Sequence, residues 1–300
     1  MTTTKITAKD VSELRQRTGA GMMECKKALE ESGGDMDKAI EYLRRKGIAK
    51  AEKRVGRAAS EGRIVSLVSP DGRHGVLVEL NSETDFVARN DEFLRLSEQL
   101  AQQLMQDAAT DAIVHKAEEG TLFGQSWHAD PSTTVGEVVK TASGKTGENI
   151  VLRRYARFAG NDATVGSYVH HNGKVAVLVE VGGGSGEAVQ QLAKTIAEHV
   201  AAGVPTIPLA VSREEIPSEV VDRERRLFEE TAKEQGKPAN IIEKVVTGQV
   251  ERFYKEKTLL DQPWVRDDSK TIRDLVSEAS KQAGATLTVR RFARFQMGEE

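Results

Sequence analysis

Two stretches, EGRIVSLVSPDGRHGVLVEL at residues 61–80 and TVGSYVHHNGKVAVLVEV at residues 164–181, spell the same element twice. In each, apolar and polar residues alternate with the period of two that turns one face of a strand toward a core. The alternation breaks once, at Pro70-Asp71-Gly72 or at Asn172-Gly173, where the chain can reverse. Both stretches therefore read as β-hairpins. Each runs on into a helical stripe, Phe93, Leu96, Leu100 and Leu104 in the first copy and Val189, Leu192, Ile196 and Val200 in the second. A further pair then recurs: TTVGEVVKTAS with NIVLRRYARF, and KTIRDLVSEAS with LTVRRFARF. The repeat predicts an α+β chain with two related subdomains, each an antiparallel three-stranded sheet carrying helices.

The spacing of the copies locates an insertion. Gly62 and Gly166 are 104 residues apart, whereas Thr134 and Thr271, and likewise Arg153 and Arg290, are 137 apart, so the second copy holds 33 extra residues. The excess falls between residues 212 and 257, where EVVDRERRLFEETAKEQ and NIIEKVVTGQVERFYKEK are joined through Gly236-Lys237-Pro238. Two helical patterns around such a break predict an antiparallel helical hairpin, projecting as an arm. The subdomains are then residues 56–160 and 161–300. Residues 1–55 read as three short helices and a linker. Thr7 caps the first, the second follows Gly19-Ala20-Gly21, and the third starts after Gly33-Gly34-Asp35 and stops at Gly47. The basic run at 49–57 serves as a helical linker.

Composition narrows the function. One cysteine, Cys25, excludes an intrachain disulfide. The opening MTTTKITAKDVSEL shows no apolar signal segment, and no run approaches the ~20 apolar residues that span a bilayer, so a cytoplasmic protein is expected, with no membrane partner. Residues 1–60 carry 14 Lys+Arg against 9 Asp+Glu, while the remainder carries 29 against 37. A basic head on an acidic body implies an oriented partner surface, or simply solvated helix faces.

Stretches that imitate catalytic motifs fail on spacing. Gly144-Lys145-Thr146 ends like a phosphate loop, but Val139 stands where its first glycine belongs. Gly19-Ala20-Gly21 has Glu24 in place of a third glycine, and the run from Gly182 to Gly186 fits neither a dinucleotide loop nor a nucleophile elbow. The six histidines form no i, i+4 pair, so no metal site and no cofactor are expected. RRYARF and RRFARF interleave arginine with aromatics as some RNA-binding strands do, yet lack the glycines of that signature. As third strands of the sheets they would turn Leu152 and Phe158, or Val289 and Phe295, inward and several other residues to water. An RNA- or ribosome-binding protein, or an enzyme with a small-molecule cleft between the repeats, remain the alternatives to a protein-binding factor.

One segment resists a purely structural account. In NSETDFVARNDEF, residues 81–93, Phe86 lies seven residues before Phe93 and fourteen before Leu100, so in one continuous helix all three would share a buried side. Asn90 and Asp91 are good N-cap residues, which would start the helix after Phe86 and leave residues 84–89 as a connection that presents an aromatic outward. Both readings stand on the residues alone.

LRQRTGAGMMECKKAL in the head, ETDFVARN after the first hairpin, GENIVLRR closing the first subdomain and GSYVHHNGKVAVLVEV opening the second together resemble the family of bacterial translation elongation factor Ts, the nucleotide exchange factor for elongation factor Tu. They occur in family order over nearly the whole chain. The resemblance implies a ubiquitin-associated-like three-helix head, two related subdomains with a helical hairpin, and a non-enzymatic protein that binds elongation factor Tu with GDP or without nucleotide, displaces magnesium and promotes GDP release. It implies no direct nucleic-acid partner. By the same resemblance, Thr84, Asp85, Phe86 and Val87 match the magnesium-displacing segment, and Arg15, Met22, Met23 and Lys26 match head positions that contact the partner. His170 or its neighbour His171 matches a contact in the second subdomain, and Val265 another. Arg266 stands where a Met can occur. The chain ends at Glu300 without the extra C-terminal helix of some members, so any contact by that helix is expected to be missing.

Overall fold

Thr7 accepts a hydrogen bond from the Asp10 amide at 3.2 Å, while the Asp10 carboxylate accepts the Thr7 amide at 2.8 Å, and this reciprocal cap starts helix α1 (Ala8–Thr18). Helices α2 (Met22–Glu31) and α3 (Met36–Glu52) follow, and Val11, Leu14, Cys25, Ala28, Leu29 and Ala39 close a small core between the three. The computed structural model describes residues 6–160 and 162–299; the outer limits assigned at residues 1 and 300 and the boundary at 161 lie outside them.

The first repeat comprises β1 (Glu61–Val68), β2 (His74–Ser82), α4 (Asp85–Ala88), α5 (Asp91–Gln106), β3 (Ile113–Val114), α6 (Thr121–Gly124), β4 (Ser126–Trp127), β5 (Asp130–Thr134), α7 (Val135–Thr146) and β6 (Val151–Ala159). The second comprises β7 (Ala163–Val169), β8 (Val175–Gly182), α8 (Glu187–Ala202), the paired helices α9 (Ser218–Glu234) and α10 (Ala239–Lys257), then β9 (Pro263–Trp264), β10 (Asp267–Thr271), α11 (Ile272–Ala283) and β11 (Thr288–Gln296). The chain is α+β, and the inserted segment forms two helices packed through Val221, Val246, Val250 and Phe253. The second sheet has three antiparallel strands in the order β11-β8-β7. The first departs from expectation: the short β3 pairs with the outer edge of β6 and makes it four-stranded, in the order β1-β2-β6-β3.

Helix α3 also runs past the expected stop at Gly47 to Glu52. The glycine serves packing. An added Cβ at Gly144 of α7 would lie 2.7 Å from the Gly47 Cα, so the two helices cross where neither carries a side chain. The joint is reinforced by Arg44 with Glu137 at 3.4 Å and by Arg54 donating to the Ser143 carbonyl at 3.3 Å. The head is therefore held on α7.

The two sheets pack face to face. Val76, Val78 and Leu80 of β2 turn toward α5 and α7, while Ile64, Leu77, Ala156 and Phe158 meet Val165, Ala176, Leu178, Ala293 and Phe295 from the other sheet. This overturns the simple alternation read for the third strands. A β-bulge at Arg153 shifts the parity of β6, so Leu152 faces the helices and Phe158 the opposite sheet; a bulge at Arg290 does the same for Val289 and Phe295. Both faces of these strands are covered, and Arg154 and Arg157 are buried.

Arg154 donates to Glu79 at 2.6 Å and stacks 4.5 Å from the ring centre of Phe295; its counterpart Arg291 donates to Glu180 at 2.6 Å and stacks 4.2 Å from Phe158. Each repeat thus supplies the ring on which the other's guanidinium rests. Arg157 and Arg294 are likewise engaged, by the Thr110 carbonyl and by Glu299. Four arginines of the two motifs are spent inside or at the edge of the sandwich, so the RNA reading loses them. The space between the repeats is filled by apolar side chains where an enzyme's cleft was envisaged. Among the described residues no helix is long and apolar enough to cross a membrane.

Candidate functional site

Strand β2 ends at Ser82, and the chain turns into the four-residue helix α4 before Asn90 caps α5 by accepting the Glu92 amide at 2.8 Å. Two caps in seven residues break the continuous helix that would have buried Phe86 beside Phe93. Phe86 is 83% exposed, whereas Phe93 is in the core. On the same turn Ala88 is buried and Val87 packs against the first repeat's core, so the helix is anchored by one side and presents its aromatic from the other. Asp85 is half-buried and forms an i, i+4 pair with Arg89 at 3.0 Å.

Thr84 is the hinge of this arrangement. Its hydroxyl donates to Glu148 at 2.6 Å and accepts from the Val87 amide at 3.4 Å, and its own amide donates to the other Glu148 oxygen at 3.0 Å. In the reverse sense the Glu83 carboxylate accepts the Asn149 amide at 2.7 Å and the Arg57 guanidinium at 3.4 Å. Ser82 donates to the Thr84 carbonyl at 2.9 Å. The motifs ETDFVARN and GENIVLRR, far apart in sequence, are thus neighbours that hold each other's backbone. Sequence reading quoted both and assigned Glu83, Glu148 and Asn149 no role; no periodicity relates acceptor and donor 64 residues apart.

The head candidates lie on two helices. Met22, Met23 and Lys26 are on α2, with Met23 75% and Met22 49% exposed and Lys26 paired to Glu30 at 3.8 Å; Arg15 is exposed on α1. The turn between those helices sits against the first repeat: an added Cβ at Gly19 would lie 3.8 Å from Glu92 at the start of α5 and 3.6 Å from Lys145. The head positions and the Phe86 turn therefore open from adjoining elements.

His170 and Val265 stand on separate elements of the second repeat. His170 is at the tip of the β7–β8 hairpin, half-buried, with its Nδ1 3.2 Å from the Tyr168 hydroxyl and its ring 4.2 Å from that of the exposed His171. Val265, 40% exposed, forms the turn of the β9–β10 ribbon. This ribbon and its equivalent β4–β5 went unread in the sequence, although Trp127 and Trp264 keep the 137-residue offset.

Val265 is fixed from beneath by a buried histidine. Its amide donates to Nδ1 of His199 at 3.2 Å, so Nε2 carries the hydrogen and donates to Gln262 at 2.9 Å. Burial holds the His199 pKa below its ordinary value, partly opposed by the Gln262 bond. The folded protein then binds this proton less readily than the unfolded chain. The stability from neutral His199 is complete above the unfolded pKa of about 6.5 and is lost as pH falls below it. Thermal melts between pH 7.5 and 5.5 should show a decline that is smaller in His199→Asn.

Among the described residues no group of His, Cys, Asp and Glu is placed to hold a metal ion. What these elements present is a surface with exposed Met22, Met23 and Phe86 side chains. A family model described as elongation factor TS matches residues 83–299. Elongation factor Ts of Trichlorobacter lovleyi is 43% identical over 299 residues, spanning 98% of this chain and 93% of that protein. Those of Nostoc sp. and Aquifex aeolicus are 46% and 42% identical, over 98% of this chain in each case and 93% and 98% of theirs. These matches define a factor of translation elongation. The chain belongs to the elongation factor Ts family.

Proposed function

We propose that this protein is a guanine-nucleotide exchange factor that binds elongation factor Tu with GDP in the cytoplasm, displaces its magnesium and promotes GDP release, without covalent chemistry of its own. The observation that carries this reading is Phe86, a large apolar side chain 83% exposed on a turn anchored by hydrogen bonds and a buried alanine. In this reading residues 1–55 form a partner-binding head, residues 56–160 present the turn, and residues 161–300 add His170, or His171, and Val265, with the arm at about 212–257.

A bound nucleotide is held by backbone amides around its phosphates and by a magnesium ion bridging them to the protein. Phe86 enters a crevice of the partner and shifts the elements that carry those amides, while Asp85 disturbs the groups and water that hold the metal. Accelerating release a thousandfold requires lowering the barrier by ~4 kcal/mol, whereas burying one Phe supplies about 1.5–3 kcal/mol before the costs of association. The remainder comes from the head, where Arg15, Met22, Met23 and Lys26 offer a mixed apolar and basic surface, and from the second repeat.

Release of fluorescent GDP from purified elongation factor Tu, with and without this chain, tests the reading. Acceleration that saturates with concentration is expected. Linkage adds a reciprocal outcome: a chain that weakens GDP binding must itself be bound more weakly by the GDP form, by the same factor. A complex indifferent to saturating GDP and magnesium would overturn the proposal.

A further inference from the structure

We propose that Glu148 is a positioning residue for exchange: its carboxylate sets the orientation in which the Thr84–Ala88 turn presents Phe86. The inference rests on the exchange reading and adds a residue outside the segment that reading assigns. Helix α4 has a single turn, and an isolated helix of that length does not persist in water, because nucleation costs more than one turn returns. Its orientation must be imposed from outside. Burial of Ala88 and packing of Val87 fix its depth, while the polar clamp fixes its start.

Glu148 is suited to this by two bonds from one residue. One oxygen accepts the Thr84 amide at 3.0 Å and the other the Thr84 hydroxyl at 2.6 Å. A threonine hydroxyl has one hydrogen; committing it to Glu148 leaves a lone pair for the Val87 amide, which it accepts at 3.4 Å as the cap of α4. Bonds to an ionised carboxylate are stronger than neutral ones, so Glu148 holds the cap where Thr84 alone would rotate among rotamers.

Glu148 is itself immobilised. Helix α7 ends at Gly147 with φ 80°, a left-handed turn that glycine adopts without cost. The Ser143 hydroxyl donates to the Glu148 carbonyl and accepts the Ile150 amide at 3.3 Å, while Thr146 accepts the Glu148 amide at 3.3 Å. The Asn149 side chain donates to the Arg57 carbonyl at 2.9 Å, tying the same loop to the linker from the head. The exposed aromatic is thus referenced to α7, the helix on which the head is packed.

The test compares the parent with Glu148→Ala, Glu148→Gln and Thr84→Val. Amide exchange at Thr84 and Val87 reads the clamp directly; GDP release from elongation factor Tu over a range of factor concentrations reads its use. In Glu148→Ala both amides should lose protection, and the release rate at saturating factor should fall by about tenfold or more, with the half-saturating concentration little changed. A general loss of folded protein would instead raise the apparent half-saturating concentration and leave the limiting rate alone. Glu148→Gln keeps one acceptor and the same shape, so it should fall between parent and alanine variant. Should Glu148→Ala fail to fold, Glu148→Gln and Thr84→Val decide the question by the same two readouts. Retained amide protection, or lost protection with a parental limiting rate, overturns this proposal alone. A parent that does not speed release overturns the exchange reading and this proposal with it.

Discussion

Phe86→Ala is expected to melt like the parent and to lower the limiting rate of GDP release from elongation factor Tu by about ten- to a hundredfold. The rate effect follows from about 1.5–3 kcal/mol of apolar burial that an exposed Phe gains only on entering a partner. The absence of a stability effect follows from the 83% exposure of the ring, since truncating it leaves no cavity. A core Phe would behave in the opposite way, costing about 3–5 kcal/mol of stability and affecting exchange only through unfolding. Asp85→Ala should resemble Phe86→Ala, with a smaller loss once magnesium is chelated, because the contact it disturbs is then already gone. Stopped-flow release and thermal melts on the same preparations separate these outcomes. A Phe86→Ala protein of parental stability that still drives full-rate release would remove the wedge from the mechanism.

The largest effect on stability is expected at the sandwich. Arg154→Ala leaves Glu79, which is completely buried and has its guanidinium partner at 2.6 Å, with an uncompensated charge. Breaking such a pair from one side costs about 3–5 kcal/mol. Replacing both members by apolar residues of similar size, Glu79→Leu with Arg154→Met, removes the stranded charge and should restore most of the loss, although the bond to the Gln296 carbonyl disappears. The equivalent Arg291→Ala should cost less. Its side chain is a third exposed, and Glu180 retains Arg290 at 3.4 Å. Urea denaturation of the three variants would rank them, and equal costs at Arg154 and Arg291 would contradict the argument from burial.

Much of this architecture was legible in the sequence because it is written in short-range patterns. Alternation gave the hairpins, the three- and four-residue stripes gave α5 and α8, and the change of offset from 104 to 137 located the arm. The features that escaped depend on distant partners. Alternation could not reveal that the third strands are covered on both faces, because the bulges at Arg153 and Arg290 shift its phase and the covering sheet comes from the other copy. Gly47 looked like a helix stop because a glycine carries the same letter whether it ends a helix or lets another approach. At the candidate site, Asn90 correctly suggested a second cap and hence an exposed Phe86, whereas Glu148 could not be linked to Thr84 without knowing that β2 and β6 are neighbours.

The reciprocal stacking of Arg154 on Phe295 and Arg291 on Phe158 is symmetric between the two repeats. A contact in which one residue meets another across an interface while its equivalent meets the first one's equivalent is the pattern of identical subunits related by a two-fold axis. Here both halves lie in one polypeptide, so the sandwich has the geometry of a two-fold dimer whose halves are covalently joined. Covalent linkage lets the halves differ away from that contact without coming apart: the first presents the exposed Phe86, the second holds the 33 extra residues of the arm, and the arginine and aromatic of each still meet across the sandwich.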